Sequence, residues 1–188
     1  MIKDTIKKNR SYRRFFAERS VDTETLVDIV DEARFCASGA NKQRLRIAII
    51  NDEKNNAELF STLKFAGYLT DWEGPSESER PAAYYVICSE SELDSLLAID
   101  LGIFAQTLLL SATERGIGGC MFRSYNAAKV TQIVGVEGMK PHLVIALGYP
   151  SEAVECVGVK DGDIKYFRAK DDVHYVPKYT ADELIIKR

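Results

Sequence analysis

A chain of 188 residues has room for one domain with a substantial core. Its 46% hydrophobic and 28% charged residues separate it from disordered proteins. A net charge of −3 with no extended basic face argues against a nucleic-acid partner.

The first residues, Met-Ile-Lys-Asp-Thr-Ile-Lys-Lys, lack the apolar core of a signal peptide. Asp4–Asn9 reads as a short helix entering a basic turn, Lys7-Lys8-Asn9-Arg10-Ser11-Tyr12-Arg13-Arg14-Phe15. Residues 1–19 carry seven cations against two acids, so in a net-acidic chain this basicity is local. Guanidinium forks beside a Ser hydroxyl suit an anionic, oxygen-rich ligand. Cations at a helix end also complement its dipole and stay solvated, and the nine residues alone leave both readings open.

Asp22 caps an amphipathic helix with Leu26, Ile29, Val30 and Ala33 at helical spacing, ending near Cys36. Ser38-Gly39-Ala40-Asn41 forms a loop, where Asn41 and Gln43 offer amides that suit polyols and ring carbonyls as well as turns. Leu45–Ile50 is a strand and Lys54–Leu63 a helix. Gly67–Pro81 is long and irregular, with Trp72 as an aromatic anchor. Such a loop is either functional and lid-like or simply pinned to the core, and both can hold together.

Ala83–Cys88 is a strand, and Ile99–Glu114 is a helix apolar on most faces: Leu101, Ile103, Phe104, Ala105, Leu108, Leu109 and Leu110. Such a helix is either central in the core or covered by a second subunit. The richest apolar run, Leu96–Ala112, is interrupted by Asp100, Gln106 and Thr107, so no membrane span is expected. Gly116-Ile117-Gly118-Gly119 follows a helix and precedes an extended stretch. That order is the reverse of a dinucleotide fingerprint, and Gly116 reads as a left-handed helix cap. The further glycines permit close approach to something flat.

Ala127–Val134 is a helix, and strand His142–Leu147 leaves through Gly148-Tyr149-Pro150. Ile164–Arg168 and Val173–Pro177 flank Ala169–Asp172 as a hairpin, followed by the lone cation Lys178. The apolar end, Asp182–Ile186, suits docking on a partner. Helices and strands interleave without a strict βαβ rhythm, so the fold class is α+β, in one domain spanning 1–188. Cys36, Cys88, Cys120 and Cys156 form no C-x-x-C pair, and only His142 and His174 accompany them. No metal site is expected; buried free thiols in a reducing cytoplasm fit better.

Taken in order, Arg10-Ser11-x-Arg13-x-Phe15, Ser38-x-x-Asn41-x-Gln43, the buried helix ending in Gly-x-Gly-Gly, and Leu147-Gly148-Tyr149-Pro150 resemble the nitroreductase family of FMN-dependent oxidoreductases. The resemblance implies a central mixed or antiparallel sheet flanked by helices. It also implies a homodimer with FMN at the shared interface and a C-terminal segment reaching the partner. Arg10, Ser11 and Arg13 match that family's FMN contacts, and Ser38, Gly39 and Asn41 match those given by the other subunit. Lys178 matches a basic residue on the FMN phosphate, and Met121-Phe122-Arg123-Ser124 the segment whose backbone runs along the reactive flavin edge.

Tyr68, Trp72 and Arg123 are candidates to shape the acceptor pocket. Asn9, Arg44-Leu45 and Arg123 depart from residues common in the family, which bears on the substrate more than on the flavin. Arg14 gains nothing from the match and reads as a surface charge. The implied activity is transfer of hydride from NADH or NADPH, by ping-pong turnover, to a small electron-poor acceptor such as a nitroaromatic or quinone. The flavin carries the chemistry, so no catalytic side chain is implied. The alternative is a non-enzymatic FMN-binding or storage protein of the same fold.

Overall fold

The computed structural model describes residues 1–187, and Arg188 lies outside the described residues. Along the chain run α1 (Ile2–Lys8), α2 (Thr23–Ala33), β1 (Arg46–Ile50), α3 (Glu53–Phe60), β2 (Ala83–Ser89) and α4 (Ser95–Glu114). They are followed by β3 (Gly118–Phe122), α5 (Ala127–Val134), β4 (Lys140–Gly148), β5 (Val154–Gly158), β6 (Phe167–Arg168), β7 (His174–Lys178) and α6 (Ala181–Leu184). Strands β1-β2-β4-β3 form an antiparallel sheet, and β5-β7-β6 form a second, mixed sheet.

The first sheet is covered on both faces, which is why β2 is buried at every residue rather than at every second one. Tyr85, Ile87, Leu143, Ile145 and Leu147 face Leu26 and Ile29 of α2 and Leu101, Ala105 and Leu108 of α4. The opposite face carries Tyr84, Val86, Val144, Cys120 and Phe122 against Leu59 of α3 and Val130 of α5. This is the α+β layering the sequence predicts.

Asp22 caps α2 as expected, its carboxylate accepting from Thr25 N at 2.7 Å. Helix α4 starts four residues before the expected Ile99, because Asp94 provides a cap for Leu97 N at 2.8 Å. By length and composition alone α4, with 20 residues and an 18-residue stretch of mean hydropathy 1.7, passes as long and apolar enough to cross a membrane, contrary to the sequence reading. One face lies in the core, but Ile99 and Ile103 stay 60% and 37% exposed, so a single chain does not cover the helix all round. Strand β5 went unpredicted: it is short, half-exposed and paired only with β7.

Gly116 has the left-handed φ of 72° expected of it. Gly119 is required by close packing, since a Cβ there would sit 2.6 Å from the Ala146 carbonyl oxygen on β4. That backbone belongs to a buried central strand and cannot yield, so Gly119→Ala is expected to cost roughly 1–3 kcal/mol in a denaturant melt. The flat group that approaches the glycine run is the Tyr12 ring, packed with Pro150 against Gly118.

Candidate active site

The basic turn leaves α1 at Asn9 and continues as extended chain sewn to the first sheet. Tyr12 N donates to Gly119 O at 3.0 Å, Phe16 N to Tyr149 O at 2.9 Å, and Ser151 N to Arg14 O at 3.0 Å. Extended backbone alternates its side chains, so Arg13 and Phe15 point inward while Tyr12 and Arg14 point the other way. Both inward residues are buried. The Glu152 carboxylate, 1% exposed, accepts from the backbone N–H groups of both Arg13 and Arg14 and pairs with Arg168 Nη2 at 2.7 Å. That one carboxylate fixes the backbone from which Arg13 projects.

Arg13 projects into a pocket of about 450 Å³. Asn9, Arg10, Ser11 and Arg13 form one wall, Gln106 and Leu109 of α4 and Met121 of β3 another, and Tyr166 with His174, Val176 and Lys178 of the second sheet the third. The lining holds three cations and no carboxylate. Arg13 has no ion-pair partner among the described residues. Its Nη1 lies 3.1 Å from His174 Nε2 and 3.2 Å from Ser11 O, and its guanidinium sits 4.7 Å from the Tyr166 ring centre. Arg10 is braced by Ile6 O and Cys156 Sγ, both at 2.8 Å.

Three buried nitrogens around this pocket, Asn9 Nδ2, Arg10 Nε and His174 Nδ1, lack a hydrogen-bond partner among the described residues. Burial foremost, then the charges of Arg13 and Arg168, holds His174 down to about 4, so it is neutral at pH 7. The site is rich in donors and poor in acceptors. It suits an anion or a ring edge lined with carbonyl oxygens.

Five residues singled out in the sequence, Arg10, Ser11, Arg13, Met121 and Lys178, thus meet in one pocket. Phe122 turns its side chain to the opposite core, edge-on to Phe65 at 4.8 Å, and Arg123 is exposed outside the lining. Tyr68 packs at a tilt against Tyr166, ring centres 4.9 Å apart, and so reaches the pocket through another ring. Trp72 packs against Phe65, with the Arg168 guanidinium 4.9 Å above it.

Ser38, Gly39 and Asn41 lie elsewhere, beside a separate cavity of about 150 Å³ lined by Arg44, Asp100 and Phe104 among others. Buried Asp100 accepts from Ser38 Oγ and Gly39 N, each at 2.8 Å. It anchors a strained loop in which Ala40, Asn41 and Gln43 all have positive φ. In the sequence Asp100 reads only as an interruption of an apolar helix.

Arg14 is not the free surface charge expected. It is 20% exposed and pairs with Glu79 and with Asp172, the latter at 2.6 Å, joining the 67–81 loop to the β6–β7 turn. The thiols also differ from expectation: Cys88 and Cys120 are buried and pushed up to about 11, but Cys156 is exposed and Cys36 half-buried. Tyr166, His174, Glu152 and Asp100 were all missed as site residues.

The nitroreductase family model matches residues 6–149. The curated nitroreductase NfnB of Mycolicibacterium smegmatis is 32% identical over 77 residues, which is 40% of this chain. The matched stretch spans 33% of that relative's length. Among solved structures, a nitroreductase family protein from Streptococcus pneumoniae superposes with a TM-score of 0.73 at 17% identity, covering all of both chains. The NADPH:FMN oxidoreductase from Vibrio harveyi, complexed with NAD+, superposes at 0.62 with 25% identity over 80% of this chain and 69% of its own. The FMN-dependent nitroreductase NfnB from Mycobacterium smegmatis, in complex with NADPH, gives 0.64 at 20% identity over 79% and 87%. With the family model running from α1 to the end of β4 and the same fold continuing through the tail, the chain belongs to the nitroreductase family.

Proposed function

We propose that this chain is an FMN-dependent oxidoreductase that takes electrons from NADH or NADPH and passes them to a small electron-poor acceptor. The observation that carries the reading is the pocket's set of buried donors without acceptors, centred on a buried Arg13 that no carboxylate neutralises. Arg10, Ser11, Arg13 and Lys178 would hold FMN, whose phosphate and ring carbonyls offer acceptors to the unpaired donors of this lining. The family, and the FMN named for the Vibrio and Mycobacterium relatives, support the same assignment.

When bound, FMN supplies the hydride-accepting and hydride-donating centre. The protein's part is to bind, orient and polarise. Arg10 and Arg13 lower the cost of placing negative charge in the pocket. The lining offers neither a carboxylate nor an imidazolium, so the chain's part is binding and charge rather than side-chain acid–base work. Donor and acceptor would use one open face in turn, which is the ping-pong scheme.

The working unit proposed is a homodimer. Ile2 and Ile6 of α1 and Ile99 and Ile103 of α4 leave an apolar face exposed, and the pocket borders it at Ile6 and Gln106. Asp100, which anchors the 38–41 loop, lies about 9 Å along α4 from Gln106. Ser38, Gly39 and Asn41 do not line the Arg13 pocket of their own chain, and as the family resemblance implies they would complete the pocket of a second subunit.

The test is spectroscopic. Purified protein reconstituted with FMN is expected to be yellow, to bleach on anaerobic addition of NADH or NADPH, and to recover with a quinone or nitroaromatic. Colour without bleaching supports the storage reading instead, and protein that takes up no FMN overturns both. A clean monomer in size-exclusion chromatography overturns the shared site.

A further inference from the structure

His174 opens β7, and its fully buried ring lies between Arg13 and Tyr166 at the pocket wall. A guanidinium nitrogen has hydrogens to give and no lone pair to offer. The 3.1 Å contact from Arg13 Nη1 to His174 Nε2 is therefore a hydrogen bond that Arg13 donates and the imidazole accepts. An accepting Nε2 requires a neutral ring with its hydrogen on Nδ1.

The surroundings favour that form. Arg13 on the N-terminal segment and Arg168 on β6 present positive charge to the ring, and Tyr166 packs on it at 5.2 Å. Glu152 is engaged by Arg168 and by the Arg13 and Arg14 amides, and Asp172, two residues before His174, is engaged by Arg14.

The chemistry of this partner matters. A carboxylate at position 174 would hold Arg13 equally well but would cancel its charge. A neutral acceptor orients the guanidinium and leaves the positive charge available to the pocket. We propose that His174 is a positioning residue, which as the Nδ1–H imidazole accepts from Arg13 and aims an uncompensated charge at the pocket's anionic ligand. The ligand's identity rests on the FMN reading above; the hydrogen bond does not.

Two measurements test this separately. In a histidine 15N–1H correlation spectrum of the protein without flavin, assigned with His174→Gln, the ring is expected as the Nδ1–H form from about pH 7 down to about pH 5. An Nε2–H tautomer or an imidazolium in that range overturns the proposal.

Binding is then followed by quenching of FMN fluorescence. His174→Phe keeps the ring but loses the acceptor, and should raise the FMN Kd about tenfold. His174→Gln restores an acceptor and should stay within about threefold of the parent. In an Arg13→Ala background, His174→Phe should change the Kd by less than about twofold. Equal losses in both backgrounds, or equal losses for Phe and Gln, overturn the proposal. If His174→Phe does not fold, the Gln variant and the spectrum still decide. A parent protein that binds no FMN sinks the functional reading while the tautomer remains the test of this one.

Discussion

Arg13→Ala is expected to weaken FMN binding about 10- to 100-fold, whereas Lys178→Ala should cost no more than about fivefold. The two residues carry the same charge and line the same pocket, but Arg13 is buried and Lys178 exposed. A hydrogen bond to a charged group away from water is worth about 1.5–3 kcal/mol, and each 1.4 kcal/mol is tenfold in affinity. An exposed cation interacts through screened solvent and contributes about 0.2–1 kcal/mol. Arg13→Lys should fall between them, because it keeps the charge but loses the planar fork that contacts Ser11 O and His174 Nε2.

Titration of flavin-free protein with FMN measures all three variants. The thermal melt of the flavin-free protein adds a second reading. A buried cation with no carboxylate partner is a cost to the folded state, so Arg13→Ala should lose little stability while losing much affinity. Undiminished flavin content in Arg13→Ala would remove the FMN site from this pocket.

The parts of this site that were legible in the sequence are those whose signal is local. Arg10, Ser11 and Arg13 stand within four residues of each other, and the period of extended backbone then decides that Arg13 rather than Arg14 turns inward. The same holds for β2, whose unbroken apolar run marks a strand buried on both faces, and for the Asp22 cap. What escaped notice depends on distant partners. Arg14 looks like a solvated charge until Glu79 and Asp172, 65 and 158 residues away, are folded against it.

Tyr166 and His174 come from a short hairpin that carries no motif, and only the second sheet brings them to the basic turn. Asp100 had a usable signal, a lone carboxylate on the buried face of an apolar helix, which folds only if hydrogen-bond donors await it. The 38–41 loop shows the opposite case. Its positive φ angles fall on Ala40 and Asn41, not on the adjacent Gly39, so glycine placement gave no warning of the strain.

Glu152→Ala is expected to be the most destabilising single change near the site, lowering stability by about 3–5 kcal/mol. The Glu152 carboxylate is 1% exposed and serves three groups, the amides of Arg13 and Arg14 and the guanidinium of Arg168. Its removal leaves two backbone donors unpaired and leaves Arg168, which is 15% exposed, with the longer 3.8 Å contact to Asp172 as its one remaining ion pair among the described residues. For a domain of this size each kcal/mol shifts the melting temperature by about 2–4 °C, so a drop of about 6–20 °C is expected by calorimetry.

Glu152→Gln separates the two duties. Its amide oxygen still accepts from the Arg13 and Arg14 N–H groups, so the turn keeps its path, but the amide NH2 takes the place of the oxygen that accepted from Arg168, and that hydrogen bond is lost with the charge. It should therefore melt well above Glu152→Ala and bind FMN nearly as the parent does, while Glu152→Ala loses both stability and affinity as the backbone under Arg13 loosens. A Glu152→Ala protein melting within about 2 °C of the parent would show that the packing of Tyr12, Phe15 and Phe16 on β3 and the β4 exit holds the turn without help. The expected order, Ala far below Gln, identifies this buried carboxylate as what keeps the Arg13 backbone in register with its pocket.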